Sequence, residues 1–125
     1  MTPQASEALE KLRAIALALP EANEKLSHGM PAFFITKGKM FAYFWYAHHG
    51  DGLTAAIVKT SGIEEQEMLI EMAPDLYYRP PYFGPSGWVG IHLDSADLDW
   101  DRVADRVAIS WELVAPRRLL EMGGR

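Results

Sequence analysis

The most constraining feature of this chain is the stretch at residues 77–90, which holds five aromatic residues, three prolines and three glycines in fourteen positions. Proline lacks a backbone N–H donor and glycine weakens regular structure, so neither a helix nor a central strand accommodates this composition. We therefore predict a long, stiff loop at residues 77–88, called the aromatic loop below, that leads into a strand beginning at Trp88. Long loops in compact domains often carry function, so we expect a ligand close to it.

Bulk composition predicts one globular domain over residues 1–125. Hydrophobic residues make up 49% of the chain, which is enough for one core. Cysteine is absent, which excludes disulfides, thiolate metal sites and cysteine nucleophiles and fits a reducing cytoplasm. The N-terminus does not have the pattern of a signal peptide, and the apolar runs are too short to span a bilayer. We therefore expect a cytoplasmic protein with no membrane partner.

The charge distribution argues against a generic nucleic-acid binder. The formal net charge is −5, from 12 basic and 17 acidic residues. Residues 60–101 carry most of the negative charge, and Arg79 is their one basic residue. A generic nucleic-acid binder carries a strong basic surplus. Here only residues 24–59 and 102–125 have a positive balance that could attract phosphate.

The pattern of apolar residues predicts an α+β fold in which helices flank a single antiparallel sheet, in the order α-β-β-β-α-β-α. An additional short strand is a candidate at residues 25–28. Ser6 is the expected N-cap of the first helix, and Asp97 or Asp99 that of the last. The predicted helices cover residues 6–19, 61–73 and about 99–114, with a short tail at 117–120, and the predicted strands cover residues 32–35, 40–46, 53–58 and 88–93.

Several short segments, taken together, resemble the MmcQ/YjbR family of small bacterial proteins over nearly the whole chain. Their order and spacing carry the resemblance more than any one segment does. The segments are residues 19–21, 28–33, 38–42, 53–54 with Lys59, 80–84, 87–90 and 113–119.

The resemblance implies a sheet flanked by helices, in a fold likened to frataxin-type and secretion-chaperone-type proteins. It also implies DNA binding, because the family is commonly labelled DNA-binding through a proposed double-wing motif. In this sequence the wings would be the turns at residues 37–39 and 48–52. The chain differs from what such a function needs, since it is acidic and the second turn offers only His48, His49 and Asp51.

Six residues are the predicted contacts to a ligand or nucleic acid. Lys39 and Lys59 lie at strand ends, where they either bind a phosphate or carboxylate as point charges or simply keep the sheet soluble. His28 precedes a tight turn and is expected to face the aromatic loop. Tyr82 and Arg79 are the loop residues expected to be exposed. The full set is His28, Lys37, Lys39, Lys59, Arg79 and Tyr82.

The sequence does not assemble a catalytic site, a metal site or a cofactor site. His48 and His49 are adjacent and would face opposite ways on a strand, and no HExxH motif is present. The glycines at 84, 87 and 90 do not form a phosphate loop, because the lysine is missing and a strand follows where a helix should. We therefore expect a protein without a cofactor that is more plausibly not an enzyme.

Three functions are compatible with these residues. The first is DNA binding through the hairpin turns and the aromatic loop. The second, ranked nearly equal, is a small-molecule or anion-binding protein with its pocket between the sheet and the aromatic loop, where His28, Lys39 and Lys59 supply the polar contacts. The third is a protein-interaction module, present as a monomer or a weak homodimer.

Overall fold

The computed structural model describes residues 1–47, 52–95 and 98–122. In chain order, the helices and strands are α1 (Pro3–Leu17), β1 (Ala22–Ser27), β2 (Met30–Ile35), β3 (Met40–Tyr46), β4 (Thr54–Val58), α2 (Ile63–Met72), β5 (Tyr77–Tyr78), β6 (Val89–His92), α3 (Trp100–Val114) and α4 (Arg117–Glu121).

The strands of the described residues form one six-stranded sheet in the order β1-β2-β3-β4-β6-β5, in which every neighbouring pair is antiparallel. The α+β prediction with a single antiparallel sheet is therefore confirmed. β5 and β6 are neighbours in the sheet, so the rest of the aromatic loop is the connection of a wide hairpin at one edge. No helix in the described ranges is long and apolar enough to cross a membrane.

One face of the sheet packs against the helices and holds the main core. Alternate residues of each strand supply it, as the period of two requires: Ala56 and Val58 of β4 face the helices, whereas Ala55 and Ile57 face the opposite side. The largest fully buried contribution from a helix is Trp111 of α3, which shares this core with Leu12 of α1. Burying side chains of this size stabilises the fold by about 1.5–3 kcal/mol each.

A β-bulge at Phe41 decides which residues of β3 share a face. The pairing shifts from Phe33 with Ala42 to Phe34 with Met40, so Phe41 has no partner on β2. Phe41 and Ala42 both enter the helix-side core as a result. The bulge thereby brings Met40 and Tyr43, three positions apart, to the same opposite side of the sheet, which strict alternation would forbid.

Helix α3 is tied to the sheet and to the end of α1 by side-chain hydrogen bonds. The buried hydroxyl of Ser110 donates to the carbonyl oxygen of Phe41 (2.5 Å) and accepts from the backbone N–H of Lys59 (2.9 Å). The indole N–H of Trp111 donates to the carbonyl oxygen of Pro20 (3.1 Å). Ser110 therefore supplies a hydrogen-bond donor to the carbonyl of the bulged residue, Phe41.

Several boundaries differ from the predicted ones, and each difference has a local cause. Thr2 caps α1 by accepting from the N–H of Ala5 (3.1 Å), so the expected cap at Ser6 was wrong; Pro3 then begins the helix, where its missing N–H costs nothing. Asp99 caps α3 as expected, and the alternative, Asp97, lies outside the described residues. The candidate strand at 25–28 is longer and begins at Ala22, because β1 pairs along all of β2.

Two further segments predicted as irregular are regular. Tyr77 and Tyr78, assigned to the aromatic loop, form β5 because they pair with Ile91 and Gly90. The tail at 117–120 lies in helix α4. The predicted second wing at 48–52 falls outside the described residues except for Gly52.

Candidate functional site

The aromatic loop covers the face of the sheet opposite the helices. Its rings of Phe83 and Trp88 pack on Tyr43 of β3, with centroid distances of 4.7 Å and 5.7 Å, and lie 5.8 Å from each other. The three rings adjoin a smaller buried cluster on this face, formed by Met30, Trp45, Ala55 and Ile57. The loop is thus joined to the sheet by aromatic packing rather than projecting freely into solvent.

Between the aromatic loop and strands β1 to β3 lies a cavity of about 830 Å³, called the aromatic cavity below. Residues of two types line it: aromatic or thioether side chains form most of the wall, and a serine and a histidine lie on the β1–β2 side. The lining residues are Ser27, His28, Met30, Met40, Tyr43, Trp45, Tyr82 and Phe83. None of these lining residues is a lysine, an arginine or a carboxylate.

Two lining residues adopt a backbone conformation that is rare for residues other than glycine. His28 has φ of 51° and Tyr82 has φ of 68°. His28 and Gly29 are the two central residues of the β1–β2 turn, and both have positive φ, as a type I′ hairpin turn requires. Tyr82, 74% exposed, is the central residue of a γ-turn, in which the backbone N–H of Phe83 donates to the carbonyl oxygen of Pro81 (2.7 Å). Both positive φ values therefore belong to tight turns, and these two turns border the same cavity.

Buried polar side chains outside the aromatic cavity hold the loop in place. The amide nitrogen of Gln66, on α2, donates to the carbonyl oxygens of Gly84 (2.9 Å) and Trp88 (2.6 Å). The hydroxyl of Thr60 lies 2.6 Å from the carbonyl oxygen of Gly87. Gly87 itself has φ of 88°, and a Cβ there would lie 2.9 Å from the backbone carbon of Gly62, so only glycine fits.

Burial raises the pKa of the Tyr43 hydroxyl above its ordinary value. Desolvation of this kind disfavours the charged phenolate, so the phenol remains neutral at physiological pH. A neutral hydroxyl can both donate and accept a hydrogen bond at the wall of the cavity. Tyr43 therefore offers a bound molecule an aromatic face and one polar contact.

The structure brings together two of the six predicted site residues, His28 and Tyr82, which both line the aromatic cavity. Arg79 does not line it. Its side-chain stem packs on Gly84, where a Cβ would lie 2.7 Å from the arginine Cγ, and its Nη1 lies 3.4 Å from Oε1 of Gln66. Arg79 thus lies on the α2 side of the loop.

The three predicted lysines lie away from the lining of the cavity. Lys37 and Lys39 are exposed at the β2–β3 turn, where Lys37 has φ of 59°. Lys59 is half-buried just after β4, and its backbone N–H bonds Ser110. Of the anion site predicted from His28, Lys39 and Lys59, only His28 lines this cavity.

Six lining residues were not predicted as site residues: Ser27, Met30, Met40, Tyr43, Trp45 and Phe83. Alternation along β3 would have placed Tyr43 and Trp45 on one face, and the aromatic loop was already expected to cover a face. Met40 had no such signal, because the bulge at Phe41 reverses its direction.

The far end of the same face is closed by a different contact. The ring of Tyr78 stacks on His92 at 4.6 Å and lies directly over Gly90, where a Cβ would come within 2.2 Å of the tyrosine ring. Within the described residues, no group of three or more His, Asp or Glu side chains is placed to hold a metal ion. The aromatic cavity is a concave site that the described residues form on this face.

The fold and the cavity define a small α+β protein with one sheet, helices on one face and an aromatic loop on the other. A family model, YjbR, matches residues 17–113, so the chain belongs to the YjbR family. The expected resemblance to that family is confirmed.

A solved structure is similar to this chain over most of its length. The crystal structure of the Deinococcus radiodurans protein DR2400, described as a domain DUF419, superposes with a TM-score of 0.71, covering 92% of this chain and 87% of that chain. The two sequences are 18% identical, so the likeness establishes the fold. No curated protein matches the sequence.

Proposed function

We propose that this protein is a non-catalytic binding protein that holds a small molecule in the aromatic cavity. The observation that carries the proposal is a cavity of about 830 Å³ whose wall is aromatic and thioether side chains from β2, β3 and the aromatic loop. Ligand sites typically measure about 300–1,000 Å³ and combine an apolar lining with a few convergent polar groups. Ser27, His28 and the hydroxyls of Tyr43 and Tyr82 are such groups.

The anchoring of the loop supports the same function. Gln66 and Thr60 fix the loop backbone through hydrogen bonds to Gly84, Gly87 and Trp88. A wall fixed in this way loses little conformational freedom when a ligand binds, and such preorganisation raises affinity. Like the pocket expected from the sequence, the cavity lies between the sheet and the aromatic loop. Its wall offers aromatic contacts where lysine contacts were expected.

A thermal-shift screen with small aromatic and apolar molecules tests this function, with titration calorimetry on the hits. Tyr82→Ala removes an exposed wall residue, and Leu26→Ala, at a residue that is also 74% exposed but does not line the cavity, is its matched control. Ser27→Trp fills the mouth of the cavity. We expect hits that lose affinity at least several-fold in Tyr82→Ala and Ser27→Trp and are unchanged in Leu26→Ala. The proposal would be overturned by hits whose affinity is the same in wild type and in both cavity variants, or by a screen without hits.

DNA binding is the second candidate, favoured by one observation: Lys37 and Lys39 are exposed on either side of Gly38, at the turn that the family resemblance assigns to one wing. β3 begins directly after this turn and is seven residues, or roughly 20 Å, long. A duplex that contacts the turn would therefore lie beside this end of β3. The positive charge available to it is small, so binding would be weak and strongly dependent on salt.

Fluorescence anisotropy with single- and double-stranded oligonucleotides at low salt tests the second candidate. If the turn contacts phosphates, Lys37→Ala/Lys39→Ala weakens binding and lowers the slope of log affinity against log salt by up to about two. Lys11→Ala, on α1, is the control because its side chain is exposed and lies on the helix side. An absence of binding at low salt excludes this candidate without affecting the first.

A further inference from the structure

We propose that the group bound in the aromatic cavity is a quaternary ammonium, such as a trimethylammonium head, rather than an anion or a primary amine. The inference rests on the proposed function and names the chemical class of its ligand. Three features of the cavity carry it: the arrangement of its rings, the charges absent from its lining, and a lysine that already lies on an aromatic ring of the same face.

Four aromatic rings line the cavity. Tyr43, Trp45, Tyr82 and Phe83 come from two separate segments, and the planes of Tyr43 and Phe83 are inclined by 47°. The ring of Trp88 packs on Tyr43 at an inclination of 57°. The face of an aromatic ring is electron-rich, and a set of tilted faces surrounds a compact cation, whereas a flat base needs parallel faces.

The lining selects against other charged groups. The described lining residues include neither lysine nor arginine, so a phosphate or carboxylate would find no counter-charge among them. They include no carboxylate either, so a primary ammonium would lose water without gaining strong acceptors from them. A quaternary ammonium has no N–H donors to satisfy and is recognised through ring faces. The formal net charge of −5 also favours the approach of cations over anions.

Lys25 shows that an aromatic ring of this face accommodates a cation. Its Nζ lies 4.9 Å from the ring centroid of Phe34. Lys25 pairs with Ala32, and Phe34 pairs with Met40, which lines the cavity, so both lie on the cavity side of the sheet. The lysine charge opposes a second cation nearby. Removing it should therefore strengthen the binding of a cation and weaken that of an anion.

The size of the cavity indicates where the rest of the ligand lies. A volume of about 830 Å³ exceeds what a trimethylammonium group fills. Ser27 and His28 lie on the β1–β2 side, at the turn between these strands, and both can hydrogen-bond a hydroxyl or carbonyl of the same molecule. The expected ligand is therefore a quaternary ammonium compound with a short polar extension.

Three probes of similar size separate the possible charges: choline, its uncharged isostere 3,3-dimethylbutan-1-ol, and the primary amine ethanolamine. Their affinities are measured by NMR or calorimetric titration of the full chain. We expect choline to bind at least threefold more tightly than either of the others. Tyr82→Ala should weaken choline binding several-fold, Lys25→Met should strengthen it about twofold, and Leu26→Ala should leave it unchanged.

The outcomes distinguish this inference from the function on which it rests. If the uncharged isostere binds as tightly as choline, or Lys25→Met weakens choline, the ammonium assignment is overturned and the cavity remains a ligand site. If choline binds equally well to wild type, Tyr82→Ala and Ser27→Trp, the assignment to this cavity is overturned. If none of the probes binds, the ammonium assignment is overturned. The proposed function is overturned as well only if the thermal-shift screen also gives no hits.

Discussion

Gln66 donates a hydrogen bond from its side-chain amide to the carbonyl oxygen of Trp88, over 2.6 Å, and its side chain is fully buried. This hydrogen bond joins a buried residue of α2 to the last residue of the aromatic loop, directly before β6 begins. A buried amide that makes its hydrogen bonds adds modestly to the free energy of unfolding. Leaving its buried partner without a hydrogen bond lowers that free energy by more. The position of the whole loop therefore depends on a residue that does not touch the aromatic cavity.

Gln66→Leu should lower the free energy of unfolding by about 1–3 kcal/mol, because the carbonyl of Trp88 loses this donor in a buried place. The carbonyl of Gly84 keeps a second donor, the N–H of Gly87, and contributes less to the loss. Urea unfolding measures the effect, and Glu67→Leu, on the exposed side of α2, is the control. A Gln66→Leu protein as stable as wild type would show that the amide does not hold the loop.

Gly90→Ala should destabilise the protein by about 1–3 kcal/mol, since a Cβ at this position lies 2.2 Å from the ring of Tyr78. The ring must leave its stack on His92 to make room. In a double-mutant cycle with Tyr78→Ala, the cost of Gly90→Ala should largely disappear. Costs that simply add would mean that the close approach of ring and backbone is not the cause.

Glu65 should contribute to stability in a pH-dependent way. The backbone N–H of Ser61, 2.8 Å from its carboxylate, and then the nearby Arg106 hold the pKa of Glu65 below its usual value. A lowered pKa means that the contribution is present above the ordinary carboxyl range near 4.5 and is lost as the pH falls through the folded pKa.

Glu65→Gln should therefore cost on the order of 1 kcal/mol at pH 7 and less at pH 3. Chemical unfolding at the two pH values measures this, with Glu67→Gln as the exposed control. A cost that is equal at both pH values would assign it to packing instead of charge.

Tyr43 should make the protein less stable in alkali. Burial raises the pKa of its hydroxyl, so the unfolded chain ionises before the folded one, and stability falls as the pH rises above the ordinary tyrosine value of 10. Tyr43→Phe should be less sensitive between pH 9 and 11, as followed by circular dichroism. Tyr46→Phe is the comparison; an equal benefit from both changes would contradict the assignment.

Much of the fold follows from local sequence. Runs of aromatic, β-branched and other apolar residues in β2 to β4, the Lys37-Gly38-Lys39 turn and the prolines near the ends of the first two helices indicate the meander and the helix order. Each of these signals acts within a few residues. β5 was missed because two residues such as Tyr77 and Tyr78 form a strand only through pairing with β6. Pairing between segments distant in sequence carries no local signal.

The candidate site was predictable in its position and not in its chemistry. Proline and glycine identified the loop, and Tyr82 and His28 were placed beside one cavity. Lys39 and Lys59 were predicted as ligand contacts because they are charged and near turns; they do not line the cavity, and their role in binding stays a prediction. Met40 reached the wall only through the bulge, whose pairing shift depends on β2.

The bonds from α3 to the bulge and to Pro20 have a consequence for synthesis. They join residues 69 and 91 positions apart, so the part of the helix-side face that α3 covers stays uncovered until that helix has been made. At translation rates of about 5–20 residues per second, the 68 residues from the end of β3 to the end of α3 take roughly 3–14 seconds. For that time the nascent chain presents Phe41, Phe44 and their neighbours to its surroundings, and a chaperone that shields aromatic surface would act in this interval.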